Sequence, residues 1–181
     1  MTSGAAQVMV TVYQEAGSTR EAPKLQVLRV SEAGVAPPPA PPPEPIEAMA
    51  HVYGVGDVGG RFGAWIGERG SRRWIEGFAL QSLRLTMPGE LEYQAVLGRG
   101  WLSPWADAGQ FCGSRGMSLP VLGLNVRLRG AAAAAFEVEV SATFVDGTVV
   151  GPVRDGPCEA PSLAALEAFQ VMLLPKEALG R

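Results

Sequence analysis

A six-residue pattern recurs three times in the chain, at separations of 46 and 45 residues. In each copy the first and sixth residues are aliphatic, the second is variable and the third is small. The fourth is apolar, and the fifth is polar or small. The copies are residues 75–80, 121–126 and 166–171. Because chance seldom produces three matches in register, the spacing predicts three similar structural units of about 45 residues.

The repeated segments are expected to be β-strands. A second strand-like segment starts about thirty residues before each copy, and apolar residues alternate along the closing segments, which is typical of strands with one buried face. Gly and Pro supply 38 of the 181 residues, and so many turn residues argue against a helical bundle. We expect an all-β domain over 46–181, in which units 46–88, 89–130 and 131–175 form a pseudo-threefold β-prism; the alternatives are a trefoil and a sandwich.

Two segments also have helical character. Residues 162–173 place Leu163, Leu166 and Phe169 on one helical face, but in the repeat register Phe169 belongs to an alternating segment, which favours a strand. The five alanines at 131–135 have high helix propensity but are too few to nucleate a helix alone. This run is predicted to form a linker or a single turn.

The first 45 residues differ in composition from the repeated region. Residues 1–33 contain two alternating apolar segments and are expected to form a β-hairpin that pairs with the main domain, with a copy of itself or with another protein. Residues 34–45 are a proline-rich linker, with seven prolines in the nine positions 37–45. Such a run adopts extended polyproline II and is interpreted as a semi-rigid spacer; a ligand for a proline-reading domain is the alternative.

Charge and cysteine content limit the classes of partner. The net charge of −3 provides no broad electrostatic footprint for nucleic acid or acidic membranes, and no apolar stretch is long enough for membrane insertion. Cys112 and Cys158 have no neighbouring Cys or His to complete a metal set, so they are either buried free thiols or a disulfide. No cofactor is expected. The start of the chain lacks a secretory signal, which favours cytoplasmic synthesis, with display on a particle released by lysis as a route outside.

Catalysis is not expected from these residues. His51 is the single imidazole, and Asp57 and Glu68 are its candidate partners for acid and base chemistry. No spacing among the aspartates singles out the carboxylate pair that glycoside hydrolysis requires. The G-x-G-x-x-G at 54–59 precedes a Gly-rich stretch instead of the helix that a dinucleotide site needs.

Residues 91–128 carry the pattern of a known repeat family. The pattern comprises an opening aromatic residue, two Trp, a G-x-x-G segment and a closing strand, here Tyr93, Gly100-Trp101, Trp105, Gly109, Gly113 to Gly116 and 121–128. The segment resembles the clostridial hydrophobic repeat with conserved tryptophan, the ChW repeat. The first unit matches more loosely, and the third contains no Trp. The resemblance implies a surface-associated module that binds polysaccharides or other macromolecules without catalysis.

The candidate ligand-binding residues surround three tryptophans in predicted Gly-rich loops. An indole in such a loop can stack on a sugar ring, although it could instead cap the core. Neighbouring Asp, Gln and Arg can bind sugar hydroxyls and carboxylates, although they could instead be a solvated surface. The candidates are Trp101, Trp105, Asp107, Gln110, Arg115, Arg99, Asp57, Trp65 and Arg69.

Together these features predict a non-enzymatic, lectin-like module that recognises cell-surface or capsular polysaccharide. Residues 1–33 would attach it to a larger protein assembly, such as the spike or fibre of a virus-like particle. The alternative is a structural or adaptor protein that binds protein partners through its β faces, and a glycoside-active enzyme is third. No nucleic acid partner is expected, and a homo-oligomer stays open.

Overall fold

The computed structural model of the protein describes residues 45–82 and 85–176, so the predicted hairpin at 1–33 and nearly all of the linker lie outside the described residues. The described residues are β-structure with one short helix, which confirms the predicted all-β class. The elements are β1 Ala48–Val52, β2 Gly56–Gly60, β3 Trp65–Ile66, β4 Ile75–Leu80, β5 Leu91–Gly98, β6 Trp101–Leu102, β7 Ala106–Asp107, β8 Cys112–Gly113, β9 Gly123–Leu128, α1 Gly130–Ala135, β10 Phe136–Phe144, β11 Val149–Val153, β12 Pro157–Glu159 and β13 Leu166–Pro175.

These strands form three antiparallel sheets. Sheet A has the strand order β2-β1-β4-β8, sheet B the order β11-β10-β13-β3, and sheet C the order β12-β9-β5-β6, with β7 also paired to β5. The two central strands of each sheet come from one stretch of sequence. The strand that follows the first of them along the chain returns as a hairpin and forms one edge.

The other edge of each sheet is a short strand from a different stretch of the chain. Sheet B takes β3, sheet A takes β8 and sheet C takes β12. The part of the chain that forms β1, β2 and β4 of sheet A therefore contributes β3 to sheet B. In the same way, the part that forms most of sheet B contributes β12 to sheet C, and the part that forms most of sheet C contributes β8 to sheet A. The residue pairs of the three exchanges are Ile66 with Phe169, Cys112 with Phe78, and Cys158 with Leu124.

Side chains from all three sheets form one hydrophobic core. At its centre Phe78 of sheet A contacts Tyr93 of sheet C and Phe169 of sheet B, with ring centroids 5.6 Å apart in both pairs. All three rings are fully buried. The Tyr93 hydroxyl donates to the carbonyl of Gln110, and burial raises the pKa of Tyr93 to about 12.

The two ambiguous segments are now assigned. Residues 166–175 form β13, as the repeat register predicts for most of 162–173. The alanine run forms α1, which is a little longer than the predicted single turn. The helix is stabilised from outside the run, because the N–H groups of Ala131 and Ala132 donate to Glu90 Oε1 at 2.9 and 3.4 Å.

Both cysteines are buried free thiols, so the disulfide alternative is not realised. Each lies on a short exchanged strand with its side chain in the core. Burial raises the pKa of Cys158 to about 12. Among the described residues there is no helix with the length and apolar character needed to span a membrane.

Candidate functional site

A cleft of about 450 Å³ opens between β9 of sheet C and β10 of sheet B. It combines an indole, a phenyl ring, two guanidinium groups, an ammonium group, two carboxylates and an amide. These side chains come from five separate parts of the sequence. They belong to Trp105, Asn125, Arg127, Phe136, Glu137, Arg154, Asp155 and Lys176.

Trp105 lies in the connection between β6 and β7, which both pair with β5. Between β6 and β7, Ser103 binds to β5 through its backbone: its N–H donates to the carbonyl of Ala95 at 2.9 Å, and its carbonyl accepts from Gln94 Nε2 at 2.6 Å. The half-buried indole that follows lies against Arg127, whose guanidinium carbon is 3.5 Å from the ring centroid. The ring and the cation therefore form one preorganised wall.

The cationic groups of the cleft already have anionic or carbonyl partners. Arg127 Nη2 lies 2.6 Å from Glu92 Oε2. Arg154 Nη2 lies 2.8 Å from Glu139 Oε1, its Nη1 lies 3.4 Å from Glu137, and these carboxylates raise the pKa of Arg154. Lys176 Nζ donates to a carbonyl at 2.7 Å. The cleft thus presents fixed donors and acceptors with nearly balanced charge.

A second cluster lies on the outer face of sheet A. The predicted residues Asp57 and Arg115 meet there, with Oδ2 and Nη2 3.4 Å apart, and His51 Nδ1 lies 2.6 Å from the other carboxylate oxygen. Arg115 also covers the ring of Phe111 at 4.0 Å, and that ring lies over Gly77. The sequence missed Phe111 because its partners lie on other strands.

Trp65 and Arg69 form a similar pair at the edge of sheet B, with the guanidinium carbon 4.7 Å from the indole centroid. The strand register does not make Trp65 equivalent to Trp105. Ile66 and Cys112 occupy equivalent positions, so the counterpart of Trp65 is Phe111.

The other four candidates lie outside the cleft. Trp101 is 65% exposed on β6, after the exposed Arg99 of the β5–β6 turn. Asp107 is exposed on β7, and its N–H donates to Gln110 Oε1 at 3.2 Å. Of the nine predicted residues, only Trp105 lines the cleft between β9 and β10, while Asn125, Arg127 and Arg154 were missed. The alternation along 121–128 was the available signal for the first two.

The G-x-x-G segments have a structural role. Glu76, which is 1% exposed, accepts the N–H groups of Met117 and Ser118 at 2.9 and 3.1 Å, in the loop that follows Gly113 and Gly116. Glu167 accepts the N–H of Gly70 at 2.8 Å in the corresponding loop of the first unit. Each buried carboxylate therefore holds the loop that follows an exchanged strand.

Neither this network nor the clefts present a metal site, since residues 45–82 and 85–176 contain no group of three His, Cys, Asp or Glu that could hold an ion. The segment 54–59 forms a turn and β2, not the strand, loop and helix of a dinucleotide site. His51 and Asp57 remain a hydrogen-bonded pair on a sheet face.

Residues 96–130 match the family model described as Clostridial hydrophobic W, or ChW, which confirms the resemblance noted in the sequence. The matched segment includes Trp101, Trp105 and all of β9. ChW repeats are often associated with cell-surface or binding proteins. The comparisons with curated proteins and with solved structures found no match.

Proposed function

We propose that the protein is a non-enzymatic, lectin-like module that binds a cell-surface or capsular polysaccharide in the cleft beside Trp105. The observation that carries the proposal is the wall that Trp105 and Arg127, both in the ChW-matched segment, form in a cleft of about 450 Å³. An aromatic platform with convergent polar groups is what sugar recognition requires.

The charge balance of the cleft favours a neutral, hydroxyl-rich chain over a polyanion. Arg127 and Arg154 each have a carboxylate partner, so a ligand carboxylate would have to displace Glu92 or Glu139. Sugar hydroxyls both donate and accept, and they can bind the guanidinium groups and the carboxylates without separating them. Binding to a neutral chain should therefore depend little on salt.

We further propose that the described residues form a three-unit β-prism. The cyclic exchange of β3, β8 and β12 supports this arrangement. So do two hydrogen bonds between equivalent residues: the N–H of Val121 donates to the carbonyl of Ile75, and the N–H of Leu166 donates to the carbonyl of Val121, each at 2.9 Å.

In this proposal residues 1–33 attach the module to a larger assembly, such as the spike or fibre of a particle, and 34–45 act as the spacer. The alternative function is an adaptor that binds protein partners through its sheet faces. The ion-paired cluster of His51, Asp57 and Arg115 on the outer face of sheet A is the surface that such a partner would use.

The experiment compares two exposed aspartates, one inside the cleft and one outside. Asp155→Ala should lower affinity for the bound polysaccharide about tenfold, because a hydrogen bond to a charged group is lost. Asp107→Ala, on β7, should bind as the natural chain does. Glycan-array screening followed by calorimetry on the selected glycan measures both variants.

A second readout reports on Trp105 directly. Ligand binding should change the tryptophan fluorescence of the natural chain, and Trp105→Phe should remove most of that change. If the array selects a glycan but Asp155→Ala and Trp105→Phe bind it normally, the cleft is not the site. If no glycan is bound and a protein partner co-purifies, the adaptor function replaces the proposal.

A further inference from the structure

Large apolar side chains are exposed mainly at one end of the described residues. Nine such side chains are well exposed among the described residues, and six of them lie in or beside the turns and loops at this end. They come from four different connections. These six are Tyr53 and Val55 after β1, Trp101 at the start of β6, Met117 and Leu119 between β8 and β9, and Val149 at the start of β11.

The strand register places these connections at the same end. Val52 is paired with Ile75, and Phe144 is paired with Leu166, so the β1–β2 and β10–β11 turns lie where β4 and β13 begin. Val121, just before β9, is hydrogen-bonded to both Ile75 and Leu166. We call this end the turn end.

Basic residues accompany the apolar ones. Four exposed arginines lie at the turn end, in the loop between β3 and β4 and in the β5–β6 turn. These two connections and the β10–β11 turn together contain two acidic residues. Within the described part of the chain, Arg72, Arg73 and Arg99 form no ion pair with a carboxylate. The arginines are Arg69, Arg72, Arg73 and Arg99, and the acids are Glu68 and Asp146. The turn end is thus locally basic in a chain of net charge −3.

We propose that the turn end docks on an anionic lipid surface. Trp and Tyr favour the boundary between headgroups and hydrocarbon, and aliphatic tips gain free energy by leaving water there. Arginines beside them are attracted to anionic headgroups. The two kinds of residue lie on connections at the same end of the strands.

Two other occupants fit less well. A polysaccharide offers hydroxyl groups, which Val55, Leu119 and Val149 cannot bind through hydrogen bonds. A second copy joined end to end would bring the same arginines face to face, and like charges across an interface are unfavourable. A lipid surface satisfies both the apolar and the basic side chains.

The test uses the full chain and sedimentation with vesicles of phosphatidylcholine, with and without phosphatidylserine. We expect binding only to the vesicles that contain phosphatidylserine, and weakening by salt. Arg72→Gln and Arg99→Gln should each lower the affinity about fivefold. Arg129→Gln, at the opposite end of β9, is the control for charge.

The apolar contribution has a matched control. Val149 and Met87 are each 69% exposed, but Met87 lies in the connection between β4 and β5, at the other end. Val149→Ser and Trp101→Ser should reduce vesicle binding several-fold, and Met87→Ser should leave it unchanged. All these side chains are exposed, so circular dichroism should show unaltered folding.

Absence of binding to anionic vesicles would overturn the proposal, as would equal losses for Val149→Ser and Met87→Ser. If the natural chain binds no vesicles and Trp101→Ser loses glycan binding, the turn end is a sugar site. If Trp101→Ser instead loses self-association, the turn end is an interface with a second copy. The turn end does not include the polysaccharide cleft, so Asp155→Ala should leave vesicle binding intact.

Discussion

At the scale of single residues, this protein buries charged carboxylates where they accept hydrogen bonds from backbone N–H groups. Glu76 and Glu167 are almost completely buried, and both accept N–H groups from a loop of another unit. Hydrogen bonds to a charged acceptor are stronger than neutral ones, which offsets the cost of burying the carboxylate. Leu122 occupies the position in the second unit that corresponds to Glu76 and Glu167. The loop that follows the exchanged strand of the third unit therefore has no carboxylate from this position to accept its N–H groups.

These glutamates were not predictable from the sequence. The repeat pattern treats position 76 as variable, because Glu, Leu and Glu occur at 76, 122 and 167. An acidic residue inside a strand is ordinarily expected to face solvent. Its burial depends on a loop about forty residues away in the first case and almost a hundred in the second.

The buried thiol of Cys158 predicts loss of stability in alkali. Its pKa rises from 9.0 to about 12 on folding, so the unfolded chain loses this proton first as the pH increases. The stabilisation is complete below pH 9.0 and decreases up to about pH 12, by at most about 1.4 kcal/mol per pH unit. Denaturant unfolding of the natural chain and of Cys158→Ala over this range measures the effect.

As the pH rises, the stability of Cys158→Ala should decrease less steeply than that of the natural chain. Some decline should remain in it, because the pKa of Tyr93 is also raised, from 10.0 to about 12. Parallel slopes for the two proteins would show that the Cys158 thiol ionises equally well in the folded and unfolded states.

At the scale of elements, the exchanged strands are the least predictable part of the fold. The long strands follow from alternation and spacing: β4 and β13 contain the repeated segments 75–80 and 166–171, and β9 contains the last four residues of 121–126. Strands of two or three residues, such as β3, β8 and β12, are too short for any period to appear. Pairing with a distant partner makes them strands, and this depends on tertiary structure.

Gly113 tests the importance of an exchanged strand. Its φ is +105°, and a Cβ there would lie 2.5 Å from the carbonyl oxygen of Glu76. Gly113→Ala should therefore displace β8 from β4 and lower the free energy of unfolding by more than about 2 kcal/mol. Thermal or urea unfolding measures the change.

Gly116→Ala is the matched control, in the same loop. Its φ is +64°, but a Cβ there would meet nothing within 4 Å, so the cost should be only about 1 kcal/mol of backbone strain. Equal losses for the two variants would mean that the contact between β8 and β4 contributes little.

At the scale of the whole molecule, the three sheets cannot unfold independently if each needs a strand from another stretch. We expect residues 45–176 to unfold in one cooperative transition. Hydrogen exchange measured by mass spectrometry in rising urea should give the same global opening free energy for β4, β9 and β13. Three well-separated opening free energies would contradict this, because they would mean that each sheet is stable alone.

The candidate site shows the same limit of sequence reasoning. Trp105 was a candidate because an indole in a loop can stack on a sugar ring, but its neighbours in the cleft come from strands that adjoin only in the folded chain. Asp107 and Gln110 are close to Trp105 in sequence, yet they lie outside the cleft. Proximity along the chain grouped Trp105 with residues that do not line its cleft.

The direction of strand exchange also affects the chain during synthesis. Sheet A lacks its edge strand until Cys112 has been made, and sheet C lacks its own until Cys158 has been made. Sheet B, the last to be translated, receives the β3 segment, which was made first. A nascent chain must therefore carry exposed sheet edges until translation of this region is nearly finished. A product that terminates early should be a substrate for chaperones and proteases, and not a smaller working module.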